Sequence, residues 1–145
     1  MDAQPFEIFG ESHLVTLLFI LAVAFLLPVF IKNSDLGNKL LIAKVLGISA
    51  ITLELIKPFI WHYWLDFPWI KLIPIHMCNL STLFIGIFLL TEKRIFFEVS
   101  FFWGIGGGIN ALITPDIPKT FPDPQFILFF IGQGLLIIAI AYACI

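Results

Sequence analysis

Residues 80–108 read LSTLFIGIFLLTEKRIFFEVSFFWGIGGG, and the four residues TEKR at 91–94 decide what kind of molecule this is. On each side of them runs an apolar segment of about 20 residues, the length of helix that crosses the hydrocarbon of a bilayer. A charged connection this short forces the two helices to lie antiparallel as a hairpin. Working outward, the hairpin's spans are read at 72–91 and 95–113, with further apolar runs at 14–31, 40–60 and 126–145. The connections carry the expected punctuation. NSDLGN at 33–38 is rich in turn residues, HYWLDFPW at 62–69 joins a proline to interfacial aromatic residues, and TPDIPKTFPDP at 114–124 contains four prolines and excludes helix.

Composition agrees with a polytopic, all-α transmembrane bundle forming one domain over residues 1–145. Of 145 residues, 60% are hydrophobic and 12% charged, against about 25% charged in soluble domains, and the mean hydropathy is +1.04. A net charge of -2 with no basic stripe excludes nucleic acid as a partner. The amino-terminal MDAQPFEIFGES is acidic where a secretory signal is basic, so the first run reads as a retained span. Cys78 and Cys144 are too few for a disulfide framework, and their positions predict opposite ends of the bundle. The three histidines form no spaced ligand set, so neither a metal nor another cofactor is expected. There is no internal repeat to support an inverted-repeat transporter. Lysine and arginine favour the amino terminus outside and the carboxyl terminus inside: Lys32, Lys39, Lys44, Lys93 and Arg94 then lie inside, against Lys57, Lys71 and Lys119 outside.

Polar residues within the spans are the functional signal. Measured at about 1.5 Å of rise per residue, His13, Glu54, His76, Cys78, Asn79, Asn110 and Gln133 all fall in the outer leaflet, each of the five spans contributing. That shared depth predicts one polar cavity open to the outer side, with Asp116 and the proline-rich loop at its rim. The alternative is that these groups bond helix to helix as packing contacts. Lys57, near a helix end, is expected to snorkel, and Lys44 and Glu98 to pair at the inner side. In PIHMCNLST at 74–82, a regular helix sets His76 and Asn79 about 60° apart and turns Cys78 about 200° from His76. A base for Cys78 then comes from another span, with His13 the leading candidate, or from a helix start distorted by Pro74. A buried, inert thiol is the other reading of Cys78. WGIGGGIN at 103–110 lacks the strand and the lysine of a phosphate loop; it reads as a close approach by a neighbouring helix or by a lipid chain.

The motifs FGESH, LEL, IPIHMCNLS, FFWGIGGGINALITPD and FPDPQFILFFIGQG, in this order along nearly the whole chain, resemble the YwaF-like integral membrane proteins, a bacterial family with a eukaryotic branch. The resemblance implies a multi-pass helical protein of the bacterial cytoplasmic membrane, with about two more spans than are counted here. This chain therefore reads as a short or truncated member. The eukaryotic branch is associated with cysteine-dependent acyl transfer among membrane lipids, which implies Cys78 as acyl acceptor with His76 and Asn79 beside it. Gln133 stands where the family carries a histidine before glycine, and glutamine cannot act as a base near neutral pH.

Three functions compete. A lipid-handling protein, an acyltransferase in its sharpest form, uses Cys78 with His13 or His76 and takes membrane lipids as its partners. A solute transporter or binding bundle uses Glu54, His76, Asn110 and Gln133 as a midmembrane polar site, and Glu54, Asn79, Asn110, Asp116 and Gln133 are the candidate substrate-binding groups. A noncatalytic membrane module devotes the same polar groups to packing, to a second copy of itself or to a partner subunit.

Overall fold

The computed structural model describes residues 4–66, 68 and 76–145. Five helices make up its body: α1 (Glu11–Ile31), α2 (Leu36–Leu65), α3 (Met77–Thr91), α4 (Arg94–Ile113) and α5 (Pro124–Ala143). The expected all-α bundle is what forms; among the described residues the β-structure is one isolated antiparallel bridge, Pro5 with Lys119. Local chemistry sets several boundaries. Asp35 caps α2 by accepting from the Asn38 N–H at 3.2 Å, and Asp123 caps α5 by accepting from the Gln125 N–H at 2.9 Å, with Pro124 in the first turn where its missing N–H costs nothing. Glu92 adopts a left-handed conformation (φ 56°) that stops α3, and α4 begins at Arg94, so the TEKR hairpin turns in two residues.

Helix α5 is the centre of the bundle and meets each of the other four helices. Two apolar clusters hold it. Ile85, Leu89, Leu136, Ala139, Ile140 and Tyr142 pack at one end, while Ile20, Leu112, Ile117, Phe126 and Phe130 pack at the other. At the first end the Tyr142 hydroxyl donates to the Lys39 carbonyl at 2.7 Å, tying the end of α5 to the start of α2. At the other end the segment before α1 meets the proline-rich loop, with Phe6 N–H on the Pro118 carbonyl at 3.1 Å and Thr120 N–H on the Gln4 carbonyl at 2.9 Å. These ties are those of an up-and-down bundle.

Large apolar side chains face outward all along α1, with Phe25 75% and Phe30 73% exposed. In water such a surface would aggregate; in hydrocarbon it is the solvated face. Three helices, α1, α4 and α5, are individually long and apolar enough to cross a membrane. Helix α2 carries Lys39, Lys44, Glu54 and Lys57, and the 15 described residues of α3 rise only about 22 Å. The start expected for span three, residues 72–75, lies outside the described residues.

Close backbone approaches explain two groups of glycines. Gly47 and Gly86 face each other where α2 crosses α3: a Cβ on either would come within 3.0 Å of the other's carbonyl oxygen. Along α4 the GIGGG run of residues 104–108 forms a turn of π-helix. Gly104 lies against Ile140 and Leu136, and Gly108 against Leu136, so the expected approach by a neighbouring helix is made by α5.

Candidate functional site

Three helices, α2, α3 and α5, place polar side chains at one level of the bundle against the glycines of α4, and the site begins at α2. Glu54 is buried and out of reach of bulk water, where a lone carboxylate is untenable. One turn later on the same face, Lys57 donates to Glu54 Oε1 at 2.7 Å and to Asn79 Oδ1 of α3 at 3.3 Å. Lys57 therefore does not snorkel to the interface as its position in the sequence suggests; the cost of stranding Glu54 turns it inward. Pro58 immediately follows and cannot donate to the Glu54 carbonyl four residues earlier, so α2 lacks a backbone hydrogen bond at this level.

The other side of the cluster belongs to α5. A Cβ on Gly132 would sit 3.2 Å from Lys57 Nζ, so glycine there is what lets the ammonium lie against α5. The next residue, Gln133, is 8% exposed, and its Oε1 is buried with no hydrogen-bond partner among the described residues. That oxygen sits 3.6 Å from where a Cβ on Gly108 would be. Cys78 Sγ sits 3.6 Å from the same point on Gly107. Two consecutive glycines of the π-helical turn thus face a thiol from α3 and a carboxamide oxygen from α5 at ordinary contact range, and such turns recur at functional sites.

Several candidates from the sequence lie elsewhere. His13 is 1% exposed and enclosed by the rings of Phe6, Phe9 and Phe130 at centroid distances of 5.2, 5.7 and 5.6 Å. Its Nε2 donates to the Leu112 carbonyl at 2.7 Å, and its Nδ1 accepts from the Phe9 N–H at 3.0 Å. With both nitrogens committed, His13 locks α1 to α4 and has no lone pair left for Cys78. His76 is exposed and lies ahead of the first helical residue of α3, in extended conformation, so the helical-wheel relation expected between it and Cys78 does not apply. Asn110 is exposed and turns back along α4, donating to the Gly106 carbonyl at 2.6 Å, while Asp116 is exposed in the loop. Glu98 pairs with Arg94 at 2.7 Å on the helix surface rather than with Lys44, because a partner one turn away is already in reach. Ser81 and Thr82 return their hydroxyls to the Met77 and Cys78 carbonyls and leave the cluster. The single cavity expected from shared depth is therefore divided into a sealed His13 lock and a cluster of Glu54, Lys57, Asn79, Gln133 and Cys78.

Chemically the cluster offers a compensated ion pair, a carboxamide whose oxygen is held by Lys57, an unpartnered carboxamide oxygen and a half-buried thiol. No group of three histidine, cysteine or acidic side chains converges as a metal site among the described residues. Lys57 is the member that reasoning from residue types left out of the site; the signal was its three-residue spacing from Glu54. The sequence model of the TMEM164 family matches residues 8–145, a stretch containing all five helices and every member of the cluster. No curated protein and no solved structure matches the chain.

Proposed function

This chain belongs to the TMEM164 family of membrane proteins, and from that premise we propose that it handles membrane lipids and accepts an acyl group on Cys78, as its resemblance to the eukaryotic branch of the YwaF-like proteins implies. The observation that carries this reading is that Cys78, whose thiol lies against the glycine-lined turn of α4, is followed directly in α3 by Asn79, whose side-chain oxygen Lys57 holds. In the step envisaged, the Cys78 thiol loses its proton and its sulfur attacks an ester carbonyl. The acyl–oxygen bond breaks, the alcohol leaves with a proton, and a thioester remains. A hydroxyl of a second lipid then attacks the thioester, taking the acyl group and returning a proton to sulfur. Asn79 supports this chemistry because Lys57 holds its Oδ1, which leaves the Nδ2 protons for a developing oxyanion. With His13 committed to two hydrogen bonds, His76, two residues before Cys78 in the chain, is the histidine we assign as base.

Intact mass spectrometry after incubation with phospholipid tests the reading. The unsubstituted protein is expected to carry a hydroxylamine-sensitive acyl adduct and the Cys78→Ala variant none. Equal lipid remodelling by the two proteins would end the proposal. A second reading, a binding bundle for a polar solute, is favoured by the burial of the Glu54–Lys57 pair; it predicts ligand uptake indifferent to thiol blocking.

A further inference from the structure

Gln133 takes no part in the acyl-transfer reading, and its buried Oε1 has no hydrogen-bond partner among the described residues. A carboxamide oxygen stripped of water and given no donor costs about 1–3 kcal/mol, and a bundle this close-packed retains such a group at a loss unless something donates to it. The neighbouring atoms restrict what that can be. Lys57 Nζ lies against Gly132, the preceding residue, so this level of α5 already has an ammonium beside it and a second cation is disfavoured. A carboxylate or phosphodiester anion has no proton to give. A hydroxyl donates a hydrogen bond without bringing a charge, which suits an orphan acceptor buried among apolar helices. Oε1 also shares the π-helical turn with the thiol, Gly108 facing one and Gly107 the other.

We propose that Gln133 is a specificity-determining residue: its Oε1 accepts a hydrogen bond from an uncharged hydroxyl on a lipid-like ligand bound between α3, α4 and α5. The inference rests on the lipid-handling reading but not on Cys78 chemistry. It is tested with the Cys78→Ala protein in nanodiscs, where no thioester forms at that position, by native mass spectrometry with oleyl alcohol and its methyl ether. The two probes share chain and oxygen and differ in the donor proton. With Gln133 in place, the alcohol is expected to bind about 5- to 10-fold more tightly than the ether. In the Gln133→Met background the two should bind alike, with ether binding unchanged. Equal binding of both probes by the Gln133 protein overturns the proposal, as does full preference for the alcohol in the Met variant. Should Gln133→Met fail to fold, the two probes on the Gln133 protein decide the matter by themselves. A hydroxyl preference found alongside an absent Cys78 adduct would remove the transfer chemistry and leave this site standing.

Discussion

At the residue scale, the Glu54–Lys57 pair shows how a cost in one side chain dictates the conformation of another. Lys57→Met leaves Glu54 buried without its cation and is expected to lower stability by about 3 kcal/mol. Glu54→Gln with Lys57→Met removes both charges and should recover most of that loss. Thermal unfolding of the three proteins in one detergent measures the difference, and equal midpoints for the single and double variants would show that the pair is not what stabilises this level. His13 presents the opposite case, a titratable side chain whose work is structural. His13→Ala deletes one buried and one part-buried hydrogen bond and opens a space among three rings, so a loss of about 2–4 kcal/mol is expected. Its effect on any Cys78 adduct should follow folding alone, which an adduct yield normalised to folded protein will reveal.

At the scale of elements, glycine position rather than glycine number decides the consequence of substitution. On α3, a Cβ at Gly86 would press to 2.8 Å from Ile51 Cγ1 and 3.0 Å from the Gly47 carbonyl, which is backbone and cannot swing away. Gly86→Ala is therefore expected to part α2 from α3 and destabilise by about 1–3 kcal/mol. On α4, Gly106 has nothing within 4 Å of a built Cβ, so Gly106→Ala should be neutral or mildly stabilising through helix propensity. Paired thermal melts distinguish the two sites; equal losses would mean that the π-helical turn itself needs glycine at 106. The hairpin between α3 and α4 was legible because TEKR leaves no other way to connect two apolar runs. The π-helical turn was not, since GIGGG says only that something comes close, while Ile140, Leu136, Cys78 and Gln133 say what comes.

At the scale of the whole molecule, the end that joins Lys39 to Tyr142 and the end that joins Pro5 to Lys119 are opposite faces of one bundle. The distribution of lysine and arginine predicts that the first lies on the inner side. Single cysteines introduced at Lys93 and Lys119 in a Cys78→Ala, Cys144→Ala background test this. A membrane-impermeant maleimide should label position 119 in intact cells and position 93 only after permeabilisation, and the reverse pattern would invert the topology.

Taken by itself, the sequence determined the solvent, the secondary structure and the order of the helices. Those properties follow from the length of apolar runs and from prolines and charges that cannot lie within them, quantities that are additive along the chain. It also brought Glu54, Cys78, Asn79 and Gln133 to a common depth, because depth depends only on rise per residue. Only the tertiary structure decided which polar groups share a direction as well as a depth. It separated His13 from the cluster, turned Asn110 and Asp116 outward, set His76 ahead of its helix and drew Lys57 in. The outcomes for His13, Asn110 and Lys57 depend on helix rotation, and rotation is fixed by contacts between residues distant in the chain: Gly47 with Gly86, Gly104 with Ile140, and His13 with Leu112; those for His76 and Asp116 depend on where a helix starts and stops.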